Sequence, residues 1–369
     1  MKLLILTQIV DLNDDVLGFM HGWIAEFAKN CELVTVICLK RGEVNLPFNV
    51  KIFSLGKEKK YKIQNAKYEL FKKAKYLYNF YHYIWRERNN YNAVFVHMNS
   101  EYAVLGGLFW RLWGKKVGLW YAHGHTALGL KISEKLVNII FTSTNSGCRL
   151  NSRKINVIGQ GIDVGKLRIT NYELRITNRN RIISVGRISP SKDYETLIRA
   201  VEILKNKGVK LAVEIIGGPA VLANENYFRN LRRQVAEKKL VEEIKFMGPV
   251  ANKEILKFLQ NAGLFVNLGQ TGSLDKAMVE AMAVELPVLT CNEAMIEVLG
   301  DYKERLMYPK KDFEKLAEKI EQIINLSAED YIRLGRDLRN IAVENHSLDK
   351  FIAKIMEKFN YGVRAGHKN

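Results

Sequence analysis

"RIISVGRISPSKDYETLIRAVEIL", residues 181–204, sets a branched apolar run, a glycine, two cations and a helical stripe in immediate succession. The opening residues read as a buried strand, and Tyr194, Leu197, Ile198 and Val201 recur at helical spacing. Between them Gly186 lets the backbone approach closely. Arg187 offers a planar fork for phosphate oxygens and Lys192 a point charge. Surface cations are common, so this pair gains meaning only from its place in the order of elements.

That order repeats along the chain. Short runs rich in Val, Ile and Leu alternate with longer stretches of helical period, as in parallel strands joined by crossover helices. The first half carries "KLLILTQ", "LVTVICL", "VKIFSLG", "NAVFVHM", "KVGLWYAH", "NIIFTST" and "INVIGQG". The second carries "RIISVGR", "KLAVEIIGG", "IKFMGPV", "LFVNLG" and "LPVLTC". The expected fold class is α/β, with a Rossmann-like domain over 1–165 and another over 181–345. Between them "LRITN" at 167–171 returns at 174–178, polar and without a wide apolar face, so 166–180 reads as an exposed linker. Over 346–361 a helix spaces Leu348, Phe351, Ile352, Ile355 and Phe359 as one stripe that must pack on something.

The 369 residues and 47% hydrophobic content suffice for two packed cores. No run of about 18 apolar residues and no leader pattern is present, so the expected location is cytoplasmic or peripheral on the inner face of the membrane. Cys31, Cys38, Cys148 and Cys291 lack metal-ligand spacing and read as small core residues in a reducing compartment. The formal charge of +18 favours a polyanionic partner: nucleic acid, anionic lipid or a phosphorylated substrate. Residues 1–165 hold 23 basic and 12 acidic residues, so the excess is denser there.

In an open parallel sheet, ligands bind outside the carboxyl ends of the strands. Arg187, Gly217, Gly218, Gly248 and the loop 269–275 all follow expected strands, and would line one crevice. The loop leads into "TGSLDKAMVEAMAVELPV", residues 271–288, whose helix start suits a phosphate. Glu280 in that helix is placed to accept hydrogen bonds from sugar hydroxyls.

Gly186, Arg187 and Lys192, then "EIIGG", "IKFMGPV", "AGLFVNL" and "VEAMAVELPV", stand in an order that resembles the donor-binding domain of retaining family 4 glycosyltransferases. The resemblance covers most of residues 180–325. It extends more loosely to the first half through "LGFMHGWIAEFAK", "YAHGH" and "KINVIGQGID". It implies the GT-B fold: two Rossmann-like domains facing a central cleft, with a C-terminal helix crossing back to the N-terminal acceptor domain. It further implies that Arg187 and Lys192 hold a nucleotide diphosphate, that Glu280 binds the ribose and that His123 lies near the donor sugar. Gly18 would stand in the loop that meets donor and acceptor. Gly186, Gly217, Gly218, Gly248 and Val250, with the backbone of Ser273 and Leu274, would complete the donor pocket.

The departures are informative. The family usually has a second glutamate eight positions before the ribose glutamate, and here that position is Gly272. A carboxylate nucleophile at that place is therefore closed to this chain, and Asp275 is the substitute candidate for contacting the sugar. Asp193 and Glu285 stand where the family commonly has glycine. No metal is required, because Arg187, Lys192 and the helix start would meet the charge of the leaving diphosphate. His123 and His125 share one side of an extended segment, but a third ligand is not evident beyond the distant Glu101. His21 reads equally as a loop contact or as helix-start packing.

From Lys57 to Arg88 there are ten Lys or Arg and three Glu, interleaved with tyrosines. Ile63, Ala66, Leu70, Ala74, Leu77, Tyr81 and Ile84 form the expected inward stripe. Lys72, Lys73, Lys75 and Arg86, with Tyr76 and Tyr83, would face solvent or an anionic membrane. The expected activity is sugar transfer from a nucleotide-sugar donor to a glycan or lipid-linked acceptor in envelope polysaccharide or glycolipid synthesis. A sugar-nucleotide epimerase, a catalytically impaired sugar-nucleotide binder and a basic nucleic-acid-binding protein are the alternatives. The last lacks any recognition signature.

Overall fold

A computed structural model describes residues 1–58, 66–168, 171–219, 223–270 and 272–360. Of the residues invoked above, Ile63, Ile169, Thr170 and Thr271 lie outside the described residues, as does the side chain of Ala66. The chain divides into two units. One holds Met1–Gly161, Ala251–Lys253 and the C-terminal helix Leu348–Asn360; the other holds Ile162–Val250 and Glu254–Ser347.

The first unit contains β1 (Lys2–Val10), β2 (Leu33–Arg41), β3 (Val50–Ser54), β4 (Ala93–His97), β5 (Lys116–Trp120), β6 (Ile139–Thr142) and β7 (Ile155–Val157). They form a seven-stranded sheet ordered β3-β2-β1-β4-β5-β6-β7, parallel throughout. The second unit contains β8 (Arg181–Val185), β9 (Ala212–Ile216), β10 (Ile244–Gly248), β11 (Leu264–Asn267) and β12 (Val288–Thr290), ordered β10-β9-β8-β11-β12 and again parallel. Each apolar run read as a strand is a strand. The reason is visible in β1, where Leu3 and Ile5 pack on one face and Leu4 and Leu6 on the other, all fully buried. A strand covered on both sides must be apolar at every position.

The helices Phe19–Asn30 and Leu348–Asn360 cover the Leu3 face. Leu348, Phe351, Ile352, Ile355 and Phe359 are all buried there. The Phe351 ring lies tilted at 4.4 Å from Trp23 and edge-on at 5.0 Å from Trp120, so the C-terminal helix completes the core of the first unit.

Two expectations are corrected. Residues 166–180 are not an exposed linker: the unit boundary falls after Gly161, and 162–180 belongs to the second unit. Ile162 donates to the His346 carbonyl at 2.7 Å, and Asn171 caps a helix over Tyr172–Thr177. Arg175, almost fully buried, donates to the Val284 carbonyl at 3.1 Å. Arg339 gathers the carbonyls of Leu167, Val164 and Ala283. The segment is anchored by guanidinium groups capping carbonyls, which leaves no apolar stripe to read.

The second correction concerns the helix Ala66–Arg86. Leu70 and Leu77, assigned inward, are 71% and 41% exposed, while Phe80 and Ile84 are buried and Phe53 stacks on Tyr83 at 5.0 Å. The inward face centres on Phe80, Ile84 and Glu87 with Tyr76, Tyr81 and Tyr83 half-buried beside them, so the expected stripe holds at Tyr81 and Ile84 and fails at Leu70, Ala74 and Leu77. Aromatic residues on two sides of this helix gave periodicity two stripes to choose from.

Candidate active site

The carboxyl ends of β8, β9 and β10 meet at backbone glycines. Gly186 donates to Ile216, Gly217 to Gly248 and Ile188 to Gly218, each at 2.9 Å. A Cβ on Gly217 would collide with the Gly186 carbonyl oxygen, and Gly217 has φ +135°, so glycine alone lets the two strand ends close. Val250, just beyond β10, packs on the core of the unit. Arg187 then emerges exposed from the end of β8.

Lys192 ends a single helical turn, Pro190–Lys192, and crosses to the loop before the helix Lys276–Ala283. Its Nζ lies 2.6 Å from Oδ2 of Asp275, the residue that opens that helix. Asn267 Nδ2 donates to the same oxygen at 2.6 Å. Asn267 is in turn fixed, accepting the Thr290 hydroxyl at 3.0 Å through its side chain and the Tyr308 hydroxyl at 3.0 Å through its carbonyl. Burial pushes the Asp275 carboxyl up. The Lys192 charge, hydrogen bonds from Lys192 and Asn267 and the Arg187 charge more than offset this and hold it below the ordinary range.

The loop is tied down at both sides. Gln270 donates to the Ser191 carbonyl at 3.2 Å and, through Nε2, to Asp193 at 2.9 Å. Asn292 donates to the Ser273 carbonyl at 2.7 Å, and the Leu274 side chain is buried. Gly272 has φ +71°, a backbone state that a glutamate adopts only with strain. The missing second glutamate is thus matched by a backbone shaped for glycine.

Glu280 lies one turn past the start of the Lys276–Ala283 helix, 3.9 Å from Lys276. Both are largely buried, and burial shifts each toward its neutral form. Glu280 is raised; Lys276 is pushed down to about 8, with Glu280 and Asp163 opposing the fall. The cluster therefore unites Arg187, Lys192, Asp275 and the strand-end glycines. It presents cations and a helix start to one place, which suits a diphosphate.

Residues 169–341 match the model of the family described as glycosyl transferases group 1. The chain carries a glycosyl transferases group 1 domain. The capsular polysaccharide biosynthesis glycosyltransferase CapM of Staphylococcus aureus is 29% identical over 216 residues, which cover 53% of this chain and 52% of CapM. The amylovoran biosynthesis glycosyltransferase AmsK of Erwinia amylovora is 30% identical over 175 residues, covering 45% of this chain and 41% of AmsK. The chain spans about half the length of the curated relatives it matches. The crystal structure of HepE from Anabaena in complex with UDP and glucose has a TM-score of 0.74 at 15% identity, covering 98% of this chain and 99% of that one. At this identity the likeness concerns the fold, which is GT-B with two Rossmann-like α/β domains.

Within the group 1 domain, sequence reasoning missed Asn267, Thr290, Asn292, Gln270 and Lys276. Asn267 had a signal, a polar residue closing the apolar run "LFVN", and Lys276 stands four positions before Glu280. Asn292 had none.

In the first unit, Gly18 is the N-cap of Phe19–Asn30, and His21 accepts the Asn45 amide at 3.0 Å, a packing role. His123 is exposed beyond β5; its Nδ1 accepts the His125 amide at 3.1 Å, which places the proton of the neutral ring on Nε2. Among the described residues no group of three or more His, Cys, Asp or Glu could hold a metal. Lys72 pairs with Glu69 and is half-buried, Lys75 is half-buried and Lys73 exposed. Arg86 bonds Glu87 at 3.0 Å and lies over Phe53 and Tyr83, so it serves the helix rather than facing away from it.

Proposed function

We infer that the chain transfers a sugar from a nucleoside diphosphate sugar to an acceptor hydroxyl, with retention, in the assembly of a surface polysaccharide or glycolipid. The observation that carries this reading is Lys192 held at 2.6 Å from Asp275 beside the start of the Lys276–Ala283 helix, with Arg187 next to it. An ammonium fixed in advance stabilises charge where a departing diphosphate develops it, without reorganisation. In this reading Asp275 is the stand-in anion that positions Lys192 until the diphosphate arrives. Glu280 accepts the ribose hydroxyls. The matched family, the names of CapM and AmsK and the UDP in the HepE crystal structure support the same class of donor and product.

Gly272 leaves no carboxylate for a covalent intermediate at the usual place. The acceptor hydroxyl therefore attacks from the face of the leaving diphosphate, whose oxygen takes the proton, and the anomeric configuration is kept. Charge neutralisation is assigned to Arg187, Lys192 and the helix start rather than to a divalent ion. We place His123 beside the donor sugar on the resemblance alone. The same left-handed glycine favours a second reading, a sugar-nucleotide binder that has lost transfer.

A thermal-shift screen with UDP-, GDP- and ADP-sugars tests donor binding, since a ligand at a hundred times its dissociation constant adds about 2.7 kcal/mol. Binding followed by transfer to a glycan or lipid-linked acceptor supports the enzyme, and binding without transfer or donor hydrolysis supports the second reading. No shift with any of the three defeats both. Among the described residues no helix is long and apolar enough to cross a membrane. Peripheral attachment through Lys72, Lys73 and Lys75 belongs to this proposal. Co-sedimentation with anionic vesicles, lost on reversing the three charges, supports it, and no binding at low salt ends it.

A further inference from the structure

The first unit has a cavity of about 910 Å3 at the amino-terminal ends of β4 to β7, the edge of the sheet away from the strand ends where ligands usually bind. Arg111, Lys115, Lys116, Lys135 and Lys154 line it and, among the described residues, no carboxylate does. Lys154 is committed elsewhere: its Nζ donates to the carbonyls of Glu134 at 2.5 Å and Val137 at 2.9 Å, and lies 3.9 Å from the Glu134 carboxylate. Lys116 reaches the Phe359 carbonyl at 3.4 Å. Arg111, Lys115 and Lys135 form no ion pair among the described residues; Arg111 touches only the Lys135 carbonyl, at 3.4 Å, and Lys115 lies 5.4 Å from the Tyr91 ring centroid.

A plain structural role accounts for part of this charge. Arg111 and Lys135 sit in the last turns of Ser100–Leu112 and Leu128–Leu136, where each helix end offers about half a negative charge. Two helix ends offset about one of the three cations and leave about two positive charges uncompensated around one hollow. Burial pushes the ammonium groups of Lys115 and Lys116 below their ordinary range, a cost that an anion in the cavity removes.

We propose that this cavity is a second anion site that takes a phosphate monoester dianion, either free phosphate or the exposed phosphate of a lipid headgroup. Two negative charges match the uncompensated charge, the Arg111 fork binds two oxygens at once, and Lys115 and Lys135 act as point charges. The cavity is far larger than phosphate alone, so there is room for the group that the phosphate carries. The proposal stands independently of the donor site in the other unit.

The test uses the full chain with Arg187→Ala and Lys192→Ala, so that phosphate at the donor cluster does not confuse the reading. Inorganic phosphate is titrated calorimetrically, and co-sedimentation compares vesicles containing phosphatidic acid with phosphatidylserine vesicles of equal surface charge. Adding Arg111→Ala and Lys135→Ala is expected to weaken binding about tenfold per cation. Both side chains are exposed, so the melting temperature should hold, and Arg111→Lys with Lys135→Arg should retain most of the binding. Loss of phosphate binding with vesicles unaffected assigns the free anion; loss on phosphatidic acid but not phosphatidylserine assigns the lipid. Equal binding by parent and variant in both arms, no binding in either, or equal loss on the two lipids overturns the site.

Discussion

The two units share a strand order and differ in what they place at the same point of it. In each sheet the order reverses beside a central strand, β1 against β4 in one and β8 against β11 in the other, which is where open α/β sheets form ligand crevices. In the second unit that point holds Arg187 and the Asn267–Asp275–Lys192 chain of polar contacts. In the first, the end of β4 is His97, buried, 3.4 Å from the Thr7 hydroxyl and edge-on to Phe19 and Trp23. Topology nominates a place; side chains decide whether it binds or packs.

The largest effect should come from the packed version. Trp23 meets Phe351, Trp120 and His97, and its Nε1 donates to the Gly161 carbonyl at 2.8 Å. Trp23→Ala is expected to destabilise the first unit by about 3–5 kcal/mol in urea unfolding. A loss under about 1 kcal/mol would show that this point is not the packing centre described. Lys192→Ala is the counterpart in the second unit. Removing about 3 kcal/mol of charge stabilisation should slow turnover roughly a hundredfold, and because Asp275 then loses its partner the variant is compared at a temperature where circular dichroism shows it folded. Near-normal turnover in Lys192→Ala and Arg187→Ala together would remove the basis for the proposed activity.

How much of this was readable beforehand follows from the same contrast. Every strand was legible, because a strand buried on both faces leaves an unbroken apolar run such as "LLIL" in β1. The role of 162–180 was not, because Arg175 and Arg339 hold it through backbone carbonyls, and such contacts leave no periodic trace. The Lys192–Asp275 pair joins residues 83 positions apart, so its members could be nominated but not their meeting. Glu280 was nominated as a ribose ligand; its pairing with Lys276 was open to a reading of i,i+4 spacing that was not made.

That pair gives the next prediction. Burial pushes Lys276 down to about 8, and its value in the unfolded chain is about 10.4. Between these values the folded protein binds fewer protons than the unfolded one, so stability rises with pH across that window. The gain should be on the order of 1–3 kcal/mol and should disappear in Lys276→Met. A flat profile in the parent from pH 8 to 10 would mean that the ammonium is better solvated than its position implies.

The smallest effect concerns a residue that both strains and secures the second unit. Glu285 follows the Lys276–Ala283 helix with φ +59°, which costs about 1 kcal/mol relative to glycine. Its carboxylate accepts the Tyr172 hydroxyl at 2.6 Å, and so ties down the segment that was expected to be a loose linker. Relief of strain and loss of a hydrogen bond of about 1 kcal/mol nearly cancel, so Glu285→Gly should shift stability by less than about 1 kcal/mol. The double-mutant cycle separates the two contributions. In a Tyr172→Phe background the hydrogen bond is already gone, and Glu285→Gly should then stabilise by about 1 kcal/mol. If it destabilises there as well, the carboxylate works through Arg175 and Arg336 rather than through the tyrosine. Glu285 supports the charge of Arg175 against its burial, and Arg336 opposes the upward shift of Tyr172.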